Sequence, residues 1–163
     1  PSAITGSANV CEGLTTTLSD ATSGGTWSSG STANATIGSG TGIVTGVLAG
    51  TATISYVLGT GCYTTSVETV NPTPAAITGT MTVCENATTT LSDATGGGTW
   101  ASSDVTVATV VTGTGVVTGV PSTSASSPTI TYTLPTGCHT TYAVTVSPFG
   151  PITALPTSSP SST

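Results

Sequence analysis

The stretch AITGSANVCEGLTTTLSDATSGGTW, Ala3–Trp27, returns 73 residues later as AITGTMTVCENATTTLSDATGGGTW, Ala76–Trp100. A repeat this long and this faithful decides the architecture, because both copies must form the same supersecondary unit. The same offset carries TGIVTGV, Thr41–Val47, onto TGVVTGV, Thr114–Val120. Beyond it LAGTATISY gives way to the longer PSTSASSPTITY, so Tyr56 corresponds to Tyr132 and Cys62 to Cys138. The two prolines of Asn71-Pro72-Thr73-Pro74 read as a short, stiff linker. The expected domains are therefore 1–72 and 73–148. From Ser147 the chain reads SPFGPITALP, parallel to the NPTPAAITG that opens the second copy, and then runs into a Ser/Pro/Thr tail. Residues 149–163 thus resemble the start of a third repeat, and Phe149, Pro151, Ile152, Ala154 and Leu155 are the expected contacts to a following protomer.

Within each copy the periodicity is that of strands. Leu14, Thr16 and Leu18 alternate with polar neighbours, as do Ala52, Ile54, Tyr56 and Leu58. Ile130, Tyr132 and Leu134 repeat the pattern, followed by Tyr142, Val144 and Val146. Thr, Val and Ile suit a half-buried pleated surface, and Gly, Asn and Asp clusters punctuate the chain at the spacing expected of a sandwich. No stretch has a 3.6-residue apolar period. The predicted fold is all-β, two tandem Greek-key sandwiches.

Two segments carry a family likeness. GGTWSSGSTANATIGSGTGIVTGVLAGTATISY in the first copy and TWASSDVTVATVVTGTGVVTGV in the second resemble the bacterial immunoglobulin-like group 2 domain. The shared pieces are a Trp-Ser-Ser strand, a Val-Ala-Thr-Val strand and a Gly-x-Val-Thr-Gly-Val turn and strand. In the second copy PSTSASSP replaces the family's Ala-Gly-Thr-Ala portion. The ITG-x-x-x-VC openings and TGC closings are similar to the cysteine-bearing versions in Thr-rich surface proteins of Bacteroidota. The resemblance implies an extracellular stalk, adhesin or filament module, with spacing or attachment rather than chemistry as its role.

Four cysteines occupy equivalent places, Cys11 with Cys84 and Cys62 with Cys138. Three pairings exist, and the repeat favours one disulfide in each unit, Cys11–Cys62 and Cys84–Cys138. Secreted small domains commonly use such bridges. Metal binding would require close Cys/His pairs, and only His139 stands near a cysteine.

Composition excludes whole classes of function. The chain has no Lys or Arg and a formal charge of −6, so it cannot neutralise phosphates in a nucleic acid or form a polybasic membrane anchor. No apolar run reaches the roughly 20 residues of a membrane span, and any export signal is expected to have been removed from this chain. His139 is replaced by Tyr63 in the first copy, which argues against a general base. The acids Glu12/Glu85 and Asp20/Asp93 repeat and are too scattered for a calcium site; Glu68 stands where the second copy has Val144. The Gly-rich GSGTGIVTG lacks the following helix that a phosphate loop needs. Asn34 and Asn86 head Asn-x-Thr sequons and are candidate carriers of covalent glycans. No catalytic residue, metal or cofactor is expected. The chain is read as a structural segment of an extracellular filament, with itself as partner. A surface adhesin recognising a glycan or host protein through 121–128 is the alternative, and a spacer in a larger secreted enzyme the third.

Overall fold

The structure, a computed structural model, describes residues 1–121 and 125–148. Every described element is a strand. The first repeat contains β1 (Asn9–Cys11), β2 (Thr15–Thr17), β3 (Gly25–Ser29), β4 (Ala35–Ile37), β5 (Ile43–Gly46), β6 (Gly50–Leu58) and β7 (Tyr63–Asn71). The second contains β8 (Thr82–Cys84), β9 (Thr88–Thr90), β10 (Thr99–Ser102), β11 (Ala108–Val110), β12 (Val116–Gly119), β13 (Thr129–Thr133), β14 (His139–Ala143) and β15 (Thr145–Ser147).

The first repeat builds two sheets, β1-β7-β6-β3 and β2-β5-β4. Named by immunoglobulin strand letters, these are A′GFC and BED, the Greek-key pattern of that sandwich. The chain starts beside the BED sheet, where Thr5 bridges Ser19, and then crosses over. There β1 pairs in parallel with the last strand, β7, with Asn9, Val10 and Cys11 opposite Thr69, Val70 and Asn71. The second repeat reproduces this order as β10-β13-β14, β11-β12-β9 and β15-β8. Its first strand is again parallel to its last, with Cys84 opposite Ser147.

The chain divides into two compact units that do not follow the repeat boundary. One holds Pro1–Ala76 together with Ala94–Gly98 and Tyr132–Thr140 of the second repeat. The other holds Ile77–Asp93, the described parts of Thr99–Thr131, and 141–148.

Alternation along β6 and β7 places Ala52, Ile54, Tyr56 and Val70 inward, where they join Val10, Leu18, Trp27, Ala35 and Val44 in one core. Ile130, Tyr132, Val144 and Val146 are buried in the second repeat, with Trp100, Leu91 and Val117. Both tryptophans are thus core residues. The Tyr56 ring lies 4.6 Å from the Trp27 ring, while its hydroxyl donates to Thr22 O and accepts from Gly25 N, each at 2.8 Å. Tyr132 makes the same pair of bonds to Thr95 O and Gly98 N. A Cβ at Gly25 would collide with the Tyr56 ring, so this position admits only glycine.

Glu68 breaks the pattern. It sits on β7 opposite Ala52, is 0% exposed, and neither carboxylate oxygen has a hydrogen-bond partner among the described residues. Burial without a partner disfavours the charged form and pushes its pKa up to about 7. A folded-state pKa above the unfolded value means that the native state holds the proton more tightly. This group therefore removes stability as pH rises from the ordinary carboxylate range through about 7. For Glu68→Val, which installs the residue of the equivalent position, the stability gap over the parent should widen by roughly 3 kcal/mol between pH 4 and pH 8. Urea unfolding of both proteins at the two pH values measures it, and a constant gap would refute the assignment.

Candidate functional site

The four cysteines are positioned by the parallel ladders. Cys11 ends β1 opposite Asn71, the last residue of β7, whereas Cys62 immediately precedes Tyr63, the first residue of that strand. Nine residues of extended chain separate these two places, about 30 Å at the rise of a strand. A disulfide requires Cα atoms within about 7 Å. The expected Cys11–Cys62 bond is therefore geometrically excluded. The expected Cys84–Cys138 bond is not formed either, because Cys138 bonds another partner and Cys84 is free. In the first repeat one cysteine sits at the F–G turn and the other at the opposite pole.

The bond that forms is Cys11–Cys138, with a Cα separation of 5.7 Å and 127 residues between the partners. One disulfide replaces the expectation of one in each domain. It joins the far end of the first repeat to the F–G turn of the second, and both cysteines lie in the same compact unit. Cys138 is 1% exposed. Cys62 and Cys84 are free and exposed.

Glu12, next to Cys11, strengthens this pole. Its Oε1 accepts from Ala49 N at 2.6 Å and its Oε2 from Thr73 N at 3.4 Å. One carboxylate thus holds the β5–β6 connection and the linker together. Sequence inspection missed this role; the repeated Cys-Glu dipeptide is its only signal. A shallow groove of about 220 Å³ borders the disulfide, lined by Leu14, Asn71 and Thr136 among others. Ligand pockets usually begin near 300 Å³, so the groove does not suit an organic ligand.

Asp20 and Asp104 serve turns. Some burial opposes ionisation of Asp20, but Oδ1 accepts from Thr22 N at 2.7 Å and Ser2 N at 3.1 Å, and these donors prevail to hold its pKa below the usual range. Asp104 is lowered by the Thr106 hydroxyl at 2.6 Å and the Thr106 N–H at 2.9 Å. Both are Asx-turn geometries. His139 is exposed, with Nδ1 3.4 Å from Gly137 O. Among the described residues no group of three His, Cys, Asp or Glu side chains could hold a metal ion.

The two sequons differ in setting. Asn34 is half-buried, and its Nδ2 donates to Leu48 O and Ala49 O, each at 3.2 Å. Asn86 is exposed at φ 61°, where the first repeat has Gly13 at 77°. Asparagine tolerates this left-handed conformation, which explains its presence there without a glycan. Phe149, Pro151, Ile152, Ala154 and Leu155 lie outside the described residues, as does the centre of the 121–128 segment.

No family model and no curated protein matches the chain in sequence. Solved structures similar in fold include the C-terminal fragment of intimin in complex with the intimin-binding domain of its translocated receptor, at 16% identity and a TM-score of 0.46. That alignment covers 83% of this chain and 57% of the fragment. Domains 1–6 of the surface layer protein SbsC align at 22% identity and a TM-score of 0.34, over 85% of this chain and 23% of that one. Mouse cadherin-23 EC22–24 aligns at 12% identity and 0.34, over 86% and 62%. The chain therefore spans less than two thirds of each of these proteins.

The disulfide closes a loop of more than 100 residues, for which chain entropy gives about 5 kcal/mol. Cys138→Ser should lower unfolding stability by about that amount. Adding reductant should destabilise the parent similarly and leave the variant unmoved. Thermal unfolding with and without reductant tests both, and a variant as stable as the oxidised parent would contradict the bond.

Proposed function

We propose that this chain is a structural segment of an extracellular filament or stalk, built from domains 1–72 and 73–148 and assembling head to tail. The single observation that carries the reading is the Cys11–Cys138 bond. It ties one repeat to the other rather than stapling each upon itself, a covalent link that a load-transmitting segment would use. Such a bond persists in oxidising, extracellular surroundings. Among the described residues no helix is long and apolar enough to cross a membrane.

The surface suits self-association. Sheet edges are normally shielded by lysine and other charges, and here the edge strands β3 (Gly25–Ser29) and β4 (Ala35–Ile37) carry none. Thr and Ser account for 63 of 163 residues, so identical copies repel one another little. The stretch from Phe149 to Leu155, which repeats the opening of a domain, is the proposed contact to the following protomer.

A second reading, an adhesin for a glycan or host protein, draws on one feature. Val57, Tyr63 and Val67 form an exposed apolar stripe on the outer face of β6 and β7, and the second repeat has Thr133, His139 and Ala143 there.

Negative-stain electron microscopy of the purified protein separates the readings. Filaments lost on deletion of 149–163 are expected; particles that stay monomeric with or without the tail would defeat the structural reading. Glycan-array binding abolished by Tyr63→Ser would favour the second.

A further inference from the structure

The Cys11–Cys138 bond joins a pole-end cysteine of one repeat to an F–G-turn cysteine of the next, and the two free cysteines are the same two halves. Cys84 is the pole-end cysteine of the second repeat, and Cys62 is the F–G-turn cysteine of the first. We propose that Cys84 of one copy forms a disulfide with Cys62 of the next, so that the chain polymerises covalently head to tail. This rests on the head-to-tail reading above and names its chemical bond.

Backbone geometry shows that both free halves are already shaped as the bonded ones are. At the turns, Leu58 N donates to Cys62 O at 2.9 Å and Gly61 N to Leu58 O at 2.9 Å. Leu134 with Cys138 and Gly137 with Leu134 make the identical pair at the same distances. The turn glycines adopt φ 85° at Gly61 and 88° at Gly137. At the other pole, Leu14 N donates to Cys11 O at 3.0 Å, and Ala87 N donates to Cys84 O at 3.1 Å. Glu12 N bonds Asn71 O at 2.9 Å, and Glu85 N bonds Ser147 O at 3.1 Å. What differs is cover: Cys138 is sealed, whereas its equivalent Cys62 is exposed. Pairing within one repeat is closed to both thiols, because their in-repeat partners, Cys11 and Cys138, are already bonded to each other.

The step balances as thiol–disulfide exchange. The Cys84 and Cys62 thiols give up two hydrogens as the S–S bond forms, and a small-molecule disulfide such as oxidised glutathione is cleaved to two thiols.

Two single variants test direction as well as occurrence. Cys62→Ser retains only the pole-end thiol and Cys84→Ser only the turn thiol. Each alone, in a glutathione redox buffer, should remain monomeric on a non-reducing gel. Mixed in equal amounts they should give a dimer at least about tenfold more abundant than in either alone, and the parent should give a ladder of multiples of 15.6 kDa. The chain lacks trypsin sites, so peptic peptides identify the bond; they should contain Cys62 joined to Cys84, and Cys11 joined to Cys138 confirms that the variants are folded. Equal dimerisation of each variant alone, or an intramolecular Cys62–Cys84 bond in monomeric parent, would overturn the proposal. Filaments seen by electron microscopy without the Cys62–Cys84 peptide would overturn the covalent link while sparing the filament reading. Absence of both would sink the two together.

Discussion

The parallel pairing of the first strand with the last is the constraint on which the rest depends. Once β1 (Asn9–Cys11) runs alongside β7 (Tyr63–Asn71) in the same direction, both must finish at the same pole. The F–G turn, where the last strand begins, must then lie at the opposite one. A cysteine at the end of the first strand and a cysteine in that turn become the two poles of one sandwich. The repeat imposes the identical arrangement on β8 (Thr82–Cys84) and β15 (Thr145–Ser147). From a ladder of three residue pairs follows the choice between an internal staple and a serial link.

Much of this protein is legible in its sequence because its signals are local. The alternation of Ala52, Ile54, Tyr56 and Leu58 marks a strand and its inward face, and the structure buries the first three. Trp27 and Trp100 repeat at fixed positions, as core anchors should. The cysteine pairing is different in kind. It depends on the relative direction of two strands some 60 residues apart, which no local pattern encodes, and sequence equivalence alone points to the wrong partners. Glu12 is missed for a similar reason, since Ala49 and Thr73 approach it only in the folded chain.

At Glu68 local pattern and chemistry disagree. Alternation puts it on the inner face, and its identity argues for the outer one. The backbone wins, because a one-residue slip of β7 would expose Val70 and every other inward residue of that strand. The second repeat has Val144 in this position and carries no such burden. Two copies of one fold therefore differ in how their stability responds to pH, although their strand order is the same.

A chain without Lys or Arg has few ways to join one domain to another. It can form no Arg–carboxylate pair and no lysine-based cross-link, and His139 is its one side chain able to carry a positive charge. What remains are bonds that need no cation: backbone N–H groups donated to Glu12, and sulfur to sulfur. Both sit side by side at residues 11 and 12, at the pole where one repeat gives way to the next. The same dipeptide recurs at residues 84 and 85, so the chemistry that joins the repeats inside one molecule is also available at the pole where the second repeat ends.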